Sequence, residues 1–232
     1  MGFNQLRKGR NIDIVFCIDG TSSMGPCIDN IRNHARTFYK DFYQSIVNDY
    51  NSDVDMLRVQ VIVFRDLECD VEGLVKSRFF ELPDEDYDFE RCLNGIKAIG
   101  GGDKKESGLE ALQSAMTTEF KAKGTNDRQV IVLFTDTDAI GFGEKDARTG
   151  YPTGLTQDAL INTWFCKLGN ANKMTERGKR IVMFAPAGSK YEDLARVLNR
   201  SSFQPVVADK GMSDVSFDGI LKILCASASS QS

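Results

Sequence analysis

Histidine is almost absent from this chain: His34 stands alone among 232 residues. Multi-histidine zinc centres and the H-E-x-x-H arrangement of metalloproteases are thereby excluded. A Ser-His-Asp triad would have to draw on a histidine inside a helical stretch, and no G-x-S-x-G accompanies it. His34 reads as an ordinary position on the first helix. The six cysteines (Cys17, Cys27, Cys69, Cys92, Cys166, Cys225) include no C-x-x-C pair, which leaves no zinc-ribbon or thioredoxin-type spacing. Cys17 falls in an apolar strand and Cys225 at an apolar helical end, positions that suit buried free thiols and a reduced, cytoplasmic setting. No run approaches the roughly 18–20 apolar residues of a membrane span. The opening residues, Met1 to Arg10, lack the apolar core of a signal peptide, and Met1-Gly2 lacks the Ser or Thr of a myristoylation signal. Neither G-x-G-x-x-G behind a strand nor G-x-x-x-x-G-K-[ST] occurs, so no nucleotide cradle is supported. The net charge is −4 and the basic residues are spread along the chain, leaving no nucleic-acid footprint.

What remains has the composition of a soluble globular protein, 41% hydrophobic and 27% charged. Apolar, β-branched runs at 14–18, 57–64, 129–135 and 180–186 read as buried strands. Shorter strands are expected at 79–82 and 204–208. Between them the apolar period lengthens to that of helices. One long helix is expected through Ile28, Ile31, Ala35, Phe38, Phe42, Ile46 and Val47, and others through Phe89 to Ile96, 108–116, Leu160 to Leu168, Tyr191 to Leu198 and Phe217 to Leu224. Strand and helix alternate throughout, which predicts an α/β fold: a doubly wound, mostly parallel central sheet flanked by helices, Rossmann-like in outline. Residues 1–9 read as a lead, 10–225 as a single domain and 226–232 as a flexible tail. Trp164 is expected in the core and Lys104-Lys105 as a solvated pair. The long loop 141–156 reads as a partner-contacting rim, with simple disorder as the alternative.

The chain is organised around Asp19-Gly20-Thr21-Ser22-Ser23, which follows the first strand and precedes the first helix. In open α/β sheets, ligands sit at the carboxyl ends of strands. Alternate residues Asp19, Thr21 and Ser23 offer a carboxylate and two hydroxyl oxygens, donors that suit a hard cation such as Mg²⁺. A plain turn whose hydroxyls cap the helix accounts for the same five residues. Two further segments add oxygens at the same sheet edge: Asp103 in the glycine-rich loop 100–106, and Asp136 after the fourth strand. Asp66, Glu68, Asp70 and Asp138 lie on neighbouring loops. Carboxylates converging without a basic partner repel one another unless a cation sits between them.

These segments together resemble the von Willebrand factor type A domain family and its metal-ion-dependent adhesion site. That family carries D-x-S-x-S after the first strand, a threonine in a glycine-rich loop, and T-D after the fourth strand. Here the counterparts are Asp19-Gly20-Thr21-Ser22-Ser23, Gly101-Gly102-Asp103 and Thr135-Asp136. The resemblance spans about residues 10–225 and implies Asp19, Thr21, Ser23 and Asp103 as metal ligands, with Asp136 acting through water. Thr21 for serine keeps the hydroxyl, whereas Asp103 for threonine adds a charge. Gly100-Gly101-Gly102-Asp103, with Glu106 three residues on, and Phe64-Arg65-Asp66 look more like the intracellular members, such as those attached to α-kinases. The implied function is a non-enzymatic binding module whose Mg²⁺ (or Mn²⁺ or Ca²⁺) keeps one position for an Asp or Glu of a partner protein. Asp66, Gly102, Glu106 and Asp138 would form the rim. Two other readings compete: a scaffold with a vestigial metal site, and a Mg²⁺-dependent phosphatase of the haloacid-dehalogenase type using the D-x-D of Asp136 and Asp138.

Overall fold

The computed structural model describes residues 9–70, 72–101, 105–145 and 154–230. Strand β1 (Gly9–Asp19) lies at the centre of the sheet, parallel to β2 (Asp53–Phe64) on one side and β6 (Arg128–Phe134) on the other. Beyond β6 come β8 (Lys179–Pro186) and β9 (Ser201–Val206), again parallel. Two short strands, β3 (Leu74–Lys76) and β4 (Phe80–Leu82), both pair antiparallel with β2 and close the other edge. A separate two-stranded ladder joins β5 (Lys105–Glu106) to β7 (Asp138–Ala139).

Strands covered on both faces read as unbroken apolar runs, and alternate residues then serve two cores. Ile12, Ile14, Phe16 and Ile18 of β1 face α1 (Gly25–His34), α2 (Phe38–Tyr50), α3 (Asp86–Gly95) and α8 (Phe217–Ser229). Val15 and Cys17 face α4 (Gly108–Met116), α6 (Gln157–Trp164) and α7 (Lys190–Val197), with the short α5 (Phe142–Lys145) leading out of β7. This is the doubly wound architecture that the alternation of periods predicts. Among the described residues no helix is long and apolar enough to cross a membrane.

Several expectations need correction. The single long helix is two, because residues 35–37 tighten into i→i−3 bonds and Thr37 turns its hydroxyl toward the His34 carbonyl. His34 is not a bland position: its ring stacks flat on Phe217, centroids 3.9 Å apart, and so joins α1 to α8. Strand β2 starts earlier than its apolar run, since Asp53, Val54 and Met56 pair with β1 while remaining partly exposed. Helix α6 stops at Trp164, whose buried indole donates to Asn199 Oδ1 at 2.9 Å, and Leu168 is left largely exposed. Helix α8 runs to Ser229, into the stretch read as a tail, because arginines from three strands bind its last carbonyls. Cys17 and Cys225 are buried thiols, as expected.

Candidate metal centre

The carboxyl ends of β1, β2 and β6 share one edge, and the loops leaving them interlock. Gly20 donates to Phe64 O at 2.8 Å, Ile99 donates to Gly20 O at 3.0 Å, and the Ser22 hydroxyl donates to Gly100 O at 3.0 Å. At the middle sits Arg65, buried behind the loops. Its guanidinium donates to the carbonyls of Gly20, Ile99, Glu72 and Lys97, so one cation fastens three loops through backbone dipoles alone. A Cβ on Gly20 would lie 2.6 Å from the Val63 side chain and 2.8 Å from this guanidinium, which requires glycine at that turn.

Asp19 is wholly buried. Its Oδ1 accepts from Thr21 N (2.9 Å) and Thr21 Oγ1 (2.6 Å), and its Oδ2 from Thr135 Oγ1 (2.7 Å). Ser23 Oγ lies 3.4 Å from Thr21 Oγ1 and donates to Asp136 Oδ1 at 3.0 Å. Asp136 is held in turn by Gly211 N, which donates to Oδ2 at 2.7 Å. The oxygens of Asp19, Thr21, Ser23 and Asp136 therefore form one contiguous group drawn from two loops. Burial pushes the Asp19 carboxyl above its ordinary range and the charge of Asp136 pushes it further. The hydroxyls of Thr21 and Thr135 act in the opposite sense. Among the described residues no three His, Cys, Asp or Glu side chains gather at metal-binding distance. The set consists of two carboxylates and two hydroxyls, oxygen throughout, and its chemistry fits a hard divalent cation.

Gly102 and Asp103 lie outside the described residues, as does much of the loop 141–156. The rim residues are placed differently from expectation. Asp66 and Glu106 are each 1% exposed and so do not present themselves to solvent. Asp138 is not a bare acid: Lys190 Nζ sits 2.8 Å from its Oδ2, while Lys190 N donates to Oδ1 at 2.8 Å. Lys105, expected to be solvated, pairs with Glu144 at 2.7 Å. The edge is thus acidic at its centre and neutralised at its margin, and the expectation that its acids lack basic partners fails at Asp138. Thr135, Gly211, Arg65 and Lys190 carry no motif of their own. Only Thr135, adjacent to Asp136 in the T-D pair, had a signal in the sequence.

Gly211 offers a direct check of the support for Asp136. Its φ is +58°, and a Cβ there would fall 2.1 Å from Ser23 O. The left-handed conformation alone costs a non-glycine residue about 1–2 kcal/mol. Gly211→Ala is expected to lower stability by at least that amount and to weaken divalent-cation binding, measured by urea unfolding and calorimetric titration on the same preparation.

Comparison with known proteins places the chain. It is 28% identical over 108 residues to the Mediator of RNA polymerase II transcription subunit 25 of Mus musculus, and equally to that of Homo sapiens. Each match takes in 45% of this chain and 14% of the relative, so the chain corresponds to a small part of those proteins. In three dimensions it resembles the pilus adhesin SpaC of Lactobacillus rhamnosus GG, with TM-score 0.53 and 12% identity, over 96% of this chain and 32% of that one. That likeness concerns the fold. The family model for the von Willebrand factor type A domain matches residues 14–139, more than half of the chain, from within β1 to the end of β7 and so across Asp19 and Asp136. The chain belongs to the von Willebrand factor type A domain family.

Proposed function

We propose that this chain is a metal-dependent protein-binding module, in which a divalent cation, Mg²⁺ by the donor chemistry, bridges the loops after β1 and β6 to an acidic side chain of a partner protein. The observation that carries this reading is the contiguity of Asp19, Thr21, Ser23 and Asp136 at one sheet edge. Asp19 and the hydroxyls of Thr21 and Ser23 would hold the ion, and Asp136 would orient Ser23. Asp103 is the further ligand that the family resemblance implies. When bound, the ion supplies a Lewis-acidic position that a carboxylate can fill. The chain's own part is to hold hard oxygens on a rigid edge, locked from behind by Arg65. The buried free thiols of Cys17 and Cys225 suit a reducing compartment such as the cytoplasm. The matched relatives are by name subunits of a larger assembly, in keeping with a role in protein contact.

Calorimetric titration with Mg²⁺ and Mn²⁺ is expected to give saturable heat with the wild type and none with Asp19→Ala. Captured partners should be released by chelator. No heat in either protein would leave a scaffold with a vestigial site.

The D-x-D hydrolase reading requires Asp138 to give and take a proton. Its carboxylate is instead fixed by Lys190 and by the amides of Ala139 and Lys190. Asp138→Asn is therefore expected to change Mg²⁺ affinity by less than about twofold, which is below about 0.5 kcal/mol. No aryl-phosphate hydrolysis should be seen in either protein. Hydrolysis lost in Asp136→Asn would support the phosphatase instead.

A further inference from the structure

Four of the basic residues scattered along the sequence are neighbours in space. Four neighbouring strands, β1, β6, β8 and β9, each bring an arginine to their amino ends, the sheet edge opposite the candidate metal centre: Arg10, Arg128, Arg180 and Arg200. The register places them in a staggered line, Ile12 opposite Arg128, Val130 opposite Arg180, and Ile181 opposite Ser201. Arg128 and Arg180 are nearly buried, 3% and 6% exposed.

Three of the four spend donors on neutral oxygens at the end of α8. Arg10 donates to Ala228 O (2.7 Å), Arg128 to Ser230 O (2.5 Å), and Arg180 to Ser230 Oγ (2.7 Å) and Ser230 O (3.2 Å), while Nη1 of Arg128 and of Arg180 is taken by neighbouring backbone carbonyls. A helix carboxyl end carries only about half a negative charge, far less than the cations gathered there. Among the described residues, acids do not supply the balance. Asp127 is the carboxylate that acts on Arg10 and Arg128, and its oxygens are engaged by the Asn11 side chain and the amides of Asn11 and Gly124. Glu176, which Arg200 influences, is bound to Lys179 and to Asn199. Arg10 Nε and Arg128 Nε are buried without an acceptor, and the Arg200 guanidinium has no hydrogen-bond or ion-pair partner among the described residues. Burial and the neighbouring guanidiniums together hold Arg128 down to about 10, and the same effects lower Arg180. Between Arg180 and Arg200 opens a shallow cleft also lined by Ser201, Ser202, Ser227 and Ser230.

The free guanidinium of Arg200, beside the Ser202 hydroxyl and in the field of three further arginines, matches a tetrahedral, doubly charged oxyanion, since the planar fork presents parallel donors to phosphate oxygens. We propose that this cleft, centred on Arg200 and backed by the charge of Arg180, is a binding site for a phosphate group. It is independent of the metal-binding reading and lies at the other end of the strands. Arg10 and Arg128 brace it electrostatically, while Arg200 is the free hand that closes on the anion.

The test uses the whole chain, with inorganic phosphate titrated at constant ionic strength against chloride. The Nε–H resonances of Arg180 and Arg200 are followed by NMR. The expected result is saturable movement of both with phosphate, none with chloride, and at least tenfold weaker phosphate binding in Arg200→Gln, whose metal-free midpoint and Mg²⁺ response should match the wild type. A phosphoserine peptide provides the second arm. At least tenfold tighter binding than inorganic phosphate assigns the group to a phosphorylated protein, and equal binding assigns it to a free phosphate or small ester. Absence of saturation, an equal response to chloride, or unchanged affinity in Arg200→Gln overturns the proposal.

Discussion

Magnesium at about a hundred times its dissociation constant is expected to raise the thermal midpoint of this protein by roughly 5–10 °C. A ligand bound only by the native state at that excess adds about 2.7 kcal/mol, and each kcal/mol moves a domain of this size by about 2–4 °C. The native-only condition is met, because Asp19 and Asp136 meet solely through the folding of β1 beside β6. Asp19→Asn should lose the response entirely. The substitution keeps the shape of a side chain that is wholly buried, and it removes a charge that burial and Asp136 both oppose. The metal-free midpoint should therefore stay within about 3 °C of wild type, roughly 1 kcal/mol. Equal magnesium responses in the two proteins would place any bound ion elsewhere.

The largest loss of stability is expected away from the candidate site, at Arg58. This residue pairs with Asp13 across β1 and β2, donating from Nε to Oδ1 at 2.8 Å and from Nη2 to Oδ2 at 2.7 Å. Asp13 is wholly buried and Arg58 nearly so. Asp13 also accepts from the backbone of Lys121 (2.6 Å) and Ala122 (2.9 Å), which anchors the segment between α4 and β6. The Arg58 guanidinium lies 4.2 Å over the Phe79 ring, a second contact for the same charge. Breaking a buried pair by removing one partner costs about 3–5 kcal/mol, since the remaining charge is left without compensation. Arg58→Ala is expected to lower the urea midpoint by an equivalent amount with an unchanged m-value. Arg58→Met, which restores much of the volume but not the charge, should recover only a minor part. A loss below about 1 kcal/mol would show that Asp13 is adequately held by the two amides.

The alternation of strand and helix was legible because strands buried on both faces must be continuously apolar, as in residues 14–18 and 129–134, whereas helices facing one core repeat every three to four residues. The loop after β1 was legible as a set of oxygen donors at the sheet edge, because a carboxylate and two hydroxyls stand at alternate positions behind a buried strand. The same residues equally suit a helix cap, so their convergence with Asp136 had to come from the fold. What escaped notice depends on distance in sequence. Arg65 bonds only to backbone carbonyls, and no pattern of residue types announces such bonds. Lys190 neutralises Asp138 from a helix some fifty residues later, so the acidic edge looked barer than it is. The helix break at residues 35–37 leaves the apolar spacing intact and therefore leaves no trace in periodicity. Arg10, Arg128, Arg180 and Arg200 look dispersed along the chain, and only strand order reveals them as neighbours.

Diffraction at the manganese absorption edge, from crystals grown with Mn²⁺, tests the central claim most directly. A single anomalous peak is expected at about 2.0–2.3 Å from an oxygen of Asp19 and from the hydroxyls of Thr21 and Ser23, the range for hard cations with oxygen ligands, with Asp136 Oδ1 still bonded to Ser23. A fully ordered loop edge with no peak, or a peak bound to other residues, would contradict it.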